Sequence, residues 1–366
     1  MKYYIIAGEA SGDLHGSNLM KALYEKDPAA EIRFWGGDLM QGVGGTLVTH
    51  YKERAFMGFA EIITNLSTIL GFIKKCKKDI LQNNPDKIIF IDNSGFNLRI
   101  AKWAKEQNFK TIYYISPQVW ASRSGRVEAI KRDIDEMYVI LPFVKDFYKN
   151  FDYDVAFVGH PLLDALSNRT QVLESVFREK HGLSDKPIIA LLPGSRKQEI
   201  SKMLSVMLKM ANKFVDYQFV IAGAPSQDFE FYKPYIQQEN VTYISNKTYD
   251  LLSLSHAAIV TSGTATLETA LFKVPQVVCY KTSWLSYQIG KRLIKLKFIS
   301  LVNLIMDKEV VKELIQDECN EKNLEKELRK ILEGKERSKL FLNYYELEKV
   351  LGGKGASAKV ATLITK

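Results

Sequence analysis

The sequence lacks the features of several common protein classes. Its three cysteines, Cys76, Cys279 and Cys319, are far apart and form no C-x-x-C pair, which is typical of free thiols in a reducing compartment. No apolar run reaches the ~18–20 uninterrupted residues of a membrane span. The N-terminus enters a strand pattern without a cleavable apolar segment, and neither low-complexity tracts nor short-period repeats occur. A globular protein of ordinary composition is therefore expected.

Several nucleotide and metal motifs are also missing. No G-x-x-x-x-G-K-[ST] is present, and no G-x-G-x-x-G follows the first apolar run, which argues against a dinucleotide site. The D-x-D pairs at 133–135 and 152–154 do not follow strand patterns, and the five histidines have no metal-ligand spacing. We expect neither a metal ion nor a cofactor.

The net charge of +9 indicates an anionic partner: nucleic acid, a membrane surface or a phosphorylated ligand. No nucleic-acid motif accompanies the charge, so nucleic acid is not expected. Two stretches, 56–78 and 284–299, combine apolar residues with lysine and arginine. They resemble helices that lie on a membrane surface, although ordinary core-facing helices with solvated lysines have the same pattern. The membrane interpretation predicts that both face outward on the same side of the molecule.

Apolar runs alternate with helical patterns along the chain, which indicates parallel sheets with both faces buried. The runs form two series, at 2–8, 31–37, 87–95, 111–116, 137–142 and 155–161, and then at 187–195, 217–223, 241–245, 257–263 and 274–280. We predict two α/β domains, 1–165 and 185–340, separated by a hinge near 165–185. A charged helical tail, 341–366, is expected to join the first domain.

The strand ends of the first half are acidic. Glu9 and Asp13 follow the first strand in a glycine-rich turn, and Asp92 follows the third. Carboxylates that converge at one edge of a sheet raise one another's pKa, and one of them can then act as a general base. Asp13 and Asp92 are equally typical of helix or turn caps. His160, in V-G-H-P, is a candidate cleft residue or a turn-packing histidine.

The strand ends of the second half have the opposite chemistry. Gly194, Ser195 and Arg196 follow one strand, and a second turn, at 262–264, opens a helix with Ser262, Gly263 and Thr264. Small residues, hydroxyls and helix N-terminal N–H groups bind anions, and arginine adds charge-assisted contacts. Two such turns predict a phosphate or diphosphate site. An acidic turn facing that site from the other domain is the arrangement of an inverting sugar transferase.

Eight motifs resemble, in order, those of the lipid-A-disaccharide synthase family: AGEASGD (7–13), AFMGFAEI (55–62), FIDNSGFN (90–97), YISPQVWA (114–121), FVGHPLLD (157–164), LLPGSR (191–196), TSGTATLE (261–268) and SLVNLI (300–305). The resemblance spans nearly the whole chain. It implies the GT-B fold, with two Rossmann-like domains whose parallel sheets face each other across a cleft. It also implies a metal-independent, inverting transferase at the cytoplasmic face of the inner membrane of Gram-negative bacteria.

The substrates implied by the resemblance are UDP-2,3-diacylglucosamine and 2,3-diacylglucosamine 1-phosphate, which give a β-1,6-linked disaccharide and UDP. The implied partners are these lipids and the anionic inner-membrane surface, with a homodimer left open. By motif, Glu9 and Asp92 match catalytic acids, and we favour Asp92 as the base. Arg196 matches an arginine near the nucleotide phosphates and Asn303 an asparagine of the site. Glu268 stands where related GT-B enzymes bind ribose hydroxyls.

This chain departs from the family pattern after Asp92, where it has Asn93, Ser94 and Gly95 instead of a proline and often a second acid. Ser122 and Val302 also differ from the usual tryptophan and proline. Two other interpretations stay open: another UDP-sugar enzyme of the same fold, such as a 2-epimerase or a different lipid-linked transferase, and a two-domain solute-binding protein.

Overall fold

The computed structural model describes residues 1–55, 66–122, 124–167, 169–282, 287 and 297–366. The chain divides into two compact units, one formed by Met1–Arg169 with Leu351–Lys366 and the other by Thr170–Val350. The segment 170–185, which the sequence places in a hinge, belongs to the second unit. The chain returns to the first unit at Leu351, later than the predicted position 341.

The strands are short and follow one another along the whole chain. They are β1 (Lys2–Ala7), β2 (Glu31–Gly36), β3 (Thr46–His50), β4 (Lys87–Ile91), β5 (Lys110–Tyr114), β6 (Glu136–Val139), β7 (Ala156–Phe157), β8 (Ile188–Leu192), β9 (Gln218–Gly223), β10 (Val241–Ser245), β11 (Ser255–Thr261), β12 (Gln276–Tyr280) and β13 (Lys312–Ile315).

Helices separate most of the strands. The described α-helices are α1 (Ala10–Lys26), α2 (Asp38–Val43), α3 (Lys52–Ala55), α4 (Leu66–Asn83), α5 (Ser94–Glu106), α6 (Val119–Ser122), α7 (Val127–Asp133), α8 (Pro142–Lys149), α9 (Pro161–Ser167), α10 (Glu174–His181), α11 (Lys197–Met207), α12 (Phe229–Tyr232), α13 (Thr248–Leu254), α14 (Thr264–Leu271), α15 (Leu301–Met306), α16 (Glu321–Leu332), α17 (Gly334–Val350) and α18 (Ala356–Ile364).

The first unit contains a seven-stranded parallel sheet in the order β3-β2-β1-β4-β5-β6-β7. Its central strands are buried on both faces, as their continuous apolar runs predict; Tyr3 to Ala7 of β1 are all buried. The sequence analysis missed β3, an edge strand whose residues are mostly half-exposed. Edge strands have one open side, so their apolar pattern is weaker.

The second unit contains a six-stranded parallel sheet in the order β10-β9-β8-β11-β12-β13. Its central strand, β8, is buried throughout. The edge strand β13, with sequence KELI, was also missed because charged residues interrupt its apolar pattern. Both sheets thus have the doubly wound order of the Rossmann fold, which confirms the predicted α/β class with two Rossmann-like domains.

The C-terminal helix α18 is tied to the first unit by a buried carboxylate. Asp164 of α9 accepts hydrogen bonds from the backbone N–H groups of Gly355 (2.6 Å) and Ser357 (2.9 Å) at the start of α18. A side-chain acceptor at this point satisfies N–H groups that have no partner within the helix. The aspartate of the FVGHPLLD motif therefore has a structural function in holding the tail.

No helix among the described residues combines the length and apolar character needed to cross a bilayer. The predicted common outward face of 56–78 and 284–299 lies in part outside the described residues, which omit 56–65, 283–286 and 288–296.

Candidate active site

In doubly wound sheets, ligands bind beyond the carboxyl ends of the strands where the strand order reverses. In the first unit this point lies between the neighbouring strands β1 and β4, which are followed by Glu9 and Asp92. In the second unit it lies between β8 and β11, which are followed by the turns at 194–196 and 262–264. Both predicted sites therefore lie at topological switch points.

Asp92 has an unusual backbone conformation that its neighbours hold in place. Its φ of 47° lies in the left-handed region, which aspartate tolerates better than most residues. Its carbonyl oxygen accepts a hydrogen bond from Nδ2 of Asn97 at 2.9 Å and another from the hydroxyl of Tyr113. The Asn97 side chain is completely buried. The backbone that carries the candidate base is thus held by two side chains, those of Asn97 and Tyr113.

Burial raises the pKa of the Asp92 carboxyl, and the negative charge of Glu9 raises it further. The two carboxylates of the first unit therefore interact, as the sequence predicts for acids that converge at one sheet edge. Glu9 is exposed and occupies the position before α1 without capping this helix through its side chain. A half-buried carboxyl with a raised pKa beside an exposed one is suited to proton transfer.

Asp13 has a different environment from Glu9 although both lie in the same turn. It is buried, and its carboxylate accepts backbone hydrogen bonds from Gly37 (2.7 Å), Leu39 (3.0 Å) and Met40 (3.0 Å). These donors belong to the start of α2, so Asp13 caps a helix that follows β2. Its oxygens are engaged in this contact, and we assign it a structural function.

His160 is also engaged within the first unit. It is only 5% exposed, and its Nδ1 lies 3.2 Å from the backbone N–H of Leu162, from which it accepts a hydrogen bond at the start of α9. Burial lowers the pKa of this imidazole to about 3, and the nearby His15 contributes to the shift. This geometry corresponds to the turn-packing alternative of the sequence analysis.

In the second unit, a cavity of about 320 Å³ brings the two predicted anion turns together. Among the residues that line it are Gly194, Ser195, Ser262, Gly263, Thr264 and Glu268. Arg196 precedes α11 beside this cavity and has an exposed side chain. Six of the seven predicted nucleotide-binding residues thus share one cavity.

Glu199, which the sequence analysis missed, shapes the first anion turn. Its Oε2 accepts the backbone N–H of Ser195 at 3.1 Å, while the Ser195 carbonyl accepts the hydroxyl of Ser226 at 2.7 Å. An added Cβ at Gly194 would lie 2.2 Å from the same Glu199 oxygen, and the Gly194 φ of 105° also requires glycine. An acid at the third position of α11 is typical of a capping box, a signal that could have found it.

The second anion turn is the more open of the two. Gly263 has a φ of 155°, and an added Cβ there would meet no atom within 4 Å. The Ser262 hydroxyl donates to the carbonyl of Ile299 at 2.8 Å, so its side chain braces the turn. The first N–H groups of α14 follow directly, and such groups have no partner inside their own helix. They lie at one end of the cavity, and helix N-terminal N–H groups of this kind are suited to bind an anion.

Glu268 lies one turn further along α14. It accepts a hydrogen bond from the hydroxyl of Tyr249 at 2.8 Å, and burial raises the pKa of its carboxyl. A partly buried carboxylate at the wall of the cavity is suited to accept hydrogen bonds from ligand hydroxyl groups.

Asn303 does not line this cavity. It is completely buried, and its amide donates to Val311 and Glu313 (both 2.9 Å) and accepts from Val310 (2.8 Å) and Val311 (2.9 Å). Glu313 in turn accepts the backbone N–H of Ile299, the residue whose carbonyl receives the Ser262 hydroxyl. Asn303 therefore acts on the anion turn through a buried network.

Among the residues that the structure describes, no group of three or more histidine, cysteine or acidic side chains is placed to hold a metal ion.

Comparisons with known proteins agree with this architecture. The structure of a UDP-GlcNAc 2-epimerase from Neisseria meningitidis bound to UDP-GlcNAc covers 100% of this chain and 100% of its own, with a TM-score of 0.73 and 13% identity. The glycotransferase of kitacinnamycin covers 100% of this chain and 98% of its own, with a TM-score of 0.65 and 11% identity. At such low identities these neighbours show the fold alone.

The sequence comparisons are more specific. The family model described as lipid-A-disaccharide synthetase matches residues 3–359. A lipid-A-disaccharide synthase from Syntrophus aciditrophicus is 40% identical over 373 aligned residues, which cover 98% of this chain and 96% of the relative. The chain belongs to the lipid-A-disaccharide synthase family of glycosyltransferases.

Proposed function

We propose that the protein condenses UDP-2,3-diacylglucosamine with 2,3-diacylglucosamine 1-phosphate, with inversion at the donor's anomeric carbon. The products are the β-1,6-linked disaccharide 1-phosphate and UDP. Family membership supports the reaction class. The observation that carries the proposal is the Asp92 carboxyl, held at a switch point with a raised pKa beside Glu9.

In this mechanism, Asp92 takes the proton from the acceptor's 6-hydroxyl. The hydroxyl oxygen forms a bond with the anomeric carbon as the bond from this carbon to the diphosphate oxygen breaks, and UDP leaves with the electron pair. Glu9 orients the acceptor or the base. General base catalysis of this kind contributes ~10²–10⁴-fold to a rate.

The cavity of the second unit is suited to hold the nucleotide. The N-terminus of α14 and Arg196 would balance the charge that develops on the departing diphosphate, since helix N-termini and guanidinium groups stabilise oxyanions. Glu268 would accept hydrogen bonds from the ribose hydroxyls. We assign no step to a metal ion or a cofactor.

The lipid substrates require access to a bilayer, and we propose peripheral binding to the anionic cytoplasmic face of the inner membrane. The described helix α4 supports this, because it exposes Leu70 (56%) one turn before Lys74 and Lys75, both exposed. An exposed apolar side chain next to lysines is typical of helices that lie at a membrane interface.

The proposal is tested by incubating the purified protein with both lipid substrates in detergent micelles and measuring UDP and the disaccharide together. We expect the two products in equal amounts, and no UDP when the acylated acceptor is omitted. Release of UDP without the acceptor, or conversion of UDP-GlcNAc into its 2-epimer, would instead identify another UDP-sugar enzyme of this fold. The Asp92→Asn variant is the matched control for background hydrolysis.

A further inference from the structure

Asn93, the residue after the candidate base, has an unsatisfied side chain at the candidate active site. Its Nδ2 is buried and finds no acceptor among the residues that the structure describes. A buried amide donor without a partner destabilises the fold, because its lost hydration is not replaced by a hydrogen bond. Such an exception in a folded protein calls for an explanation, and a bound ligand that supplies the acceptor is one.

The usual structural reason for an asparagine at this position does not apply. Asn93 precedes α5 as its cap residue, where asparagine commonly accepts a backbone N–H through its side chain. Here the side chain makes no such bond, and the residue has a φ of 44° in the left-handed region. Asp92 and Asn93 are thus two consecutive left-handed residues. Backbone strain of this kind concentrates at functional sites.

The turn after β1 leaves space for the Asn93 amide. An added Cβ at Gly8 would lie 1.9 Å from Nδ2 and 2.5 Å from Cγ of Asn93. Gly8 directly precedes Glu9, whose charge raises the pKa of Asp92. The amide therefore lies between the two strand ends that carry the candidate catalytic carboxylates.

We propose that Asn93 Nδ2 donates a hydrogen bond to an oxygen of the acceptor sugar, either a hydroxyl or an acyl carbonyl next to the hydroxyl that Asp92 deprotonates. Gly8 is glycine because any side chain there would displace this amide. The inference rests on the proposed function. After Asp92 this chain has Gly95, which has no side chain, and so lacks the second carboxylate of the family pattern. The Asn93 amide would supply a polar contact to the acceptor in the same stretch.

The Asn93→Gly variant removes the side-chain amide and leaves the backbone conformation unchanged, because glycine adopts a positive φ without strain. We expect the KM for the acceptor to rise about tenfold, the effect of one lost hydrogen bond, while UDP affinity and the melting temperature stay close to the wild-type values. Asn93→Asp keeps the shape but adds a third carboxylate, so the KM should rise further. An unchanged KM in both variants would overturn the proposal.

A double-mutant cycle tests the contact itself. Gly8→Ala should raise the acceptor KM at least tenfold in the wild-type background, since its Cβ displaces the amide. In the Asn93→Gly background the same substitution should change the KM less than twofold, because space is then available. Equal losses in both backgrounds would show that the amide is not the reason for Gly8. The proposed function is tested separately, by turnover of the wild-type protein, and does not depend on these comparisons of KM between variants.

Discussion

Nδ2 of Asn97 lies 2.9 Å from the carbonyl oxygen of Asp92 and also reaches the carbonyls of Ile6 (3.3 Å) and Ile91 (3.2 Å). One completely buried amide thus joins the ends of β1 and β4 and holds the left-handed residue between them. The backbone position of Asp92, which carries the carboxylate, is therefore determined by the core of the first unit. A base whose backbone is held in this way has only its side-chain torsions left to order before it accepts a proton.

The first prediction concerns this carboxylate. Asp92→Asn keeps the shape and removes the basicity, so kcat should fall by ~10²–10⁴-fold, the usual contribution of general base catalysis. UDP affinity should stay nearly unchanged. A base must be deprotonated, so activity of the wild-type protein should fall as the pH drops through the Asp92 pKa. Since that pKa is raised, the acid limb should lie above the ordinary range of aspartate.

Glu9→Gln is the matched control for the assignment of roles. Removal of its charge should lower the Asp92 pKa and move the acid limb of the pH–rate profile to lower pH, because Glu9 contributes to the shift. If Asp92→Asn keeps most of its turnover while Glu9→Gln loses it, the two roles must be exchanged. If both variants keep it, the acidic strand ends do not supply the base.

The strand ends could be predicted from sequence because each buried strand is a local pattern that ends at a turn. What each turn residue contacts could not. Asp13 caps a helix that begins at Asp38, and Asn303 bonds residues 310–313; such partners are set by tertiary packing. Glu199 carries a capping signal that the sequence does contain, an acid at the third position of its helix, but the backbone N–H of Ser195 that it accepts is set by the fold. The strand and turn patterns in the sequence thus predict where the candidate sites lie, whereas the hydrogen-bond partners that are distant in sequence are known only from the structure.

The second prediction concerns the guanidinium beside the cavity. Arg196→Ala should weaken UDP binding by ~1.5–3 kcal/mol, the range for a hydrogen bond to a charged group. Calorimetric titration with UDP measures this directly. Lys197→Ala is the control, because Lys197 is also exposed and cationic but lies 5.6 Å from the Phe231 ring centroid. Equal affinities for the wild-type and Arg196→Ala proteins would remove Arg196 from the nucleotide site.

The third prediction concerns ribose recognition. Glu268→Gln loses a charged acceptor, so UDP should bind about tenfold more weakly, whereas 2′,3′-dideoxy-UDP should bind to the variant and the wild-type protein alike. A site built around a substrate hydroxyl discriminates strongly against analogues that lack it. Tyr249→Phe removes the hydrogen bond to Glu268 and is the control for an indirect effect. A loss of affinity of the same size for both nucleotides would contradict ribose contact.

The fourth prediction concerns the membrane. Glutamate in place of the four lysines of α4 should weaken binding to phosphatidylglycerol vesicles by about 1 kcal/mol per charge near the surface, measured by sedimentation at low salt. These residues are Lys74, Lys75, Lys77 and Lys78. The control changes the same number of exposed lysines in the second unit, namely Lys322, Lys326, Lys335 and Lys339. If both quadruple variants bind equally well, net charge alone attracts the protein and α4 is not the contact.

The last prediction concerns stability in acid. Burial lowers the pKa of His15 to about 4, although Asp164 partly opposes the shift, and lowers that of His160 to about 3. In the unfolded chain both should titrate near the ordinary value of ~6.5. Between these values the unfolded state binds more protons than the native state, so stability must fall as the pH falls. The two neutral histidines contribute fully to the free energy of unfolding above the pKa of the unfolded chain. This contribution is lost as the pH falls from about 6.5 to 3.

Urea unfolding at a series of pH values, performed on the wild-type protein and on His160→Asn, measures this effect. The asparagine Oδ1 can still accept the N–H of Leu162, which Nδ1 of His160 accepts at 3.2 Å, but it cannot be protonated in this range. Removal of one titrating group should reduce the loss of unfolding free energy between pH 6.5 and 4 by on the order of a few kcal/mol. Identical slopes for the two proteins would mean that His160 is protonated without cost in the native state, contrary to its burial.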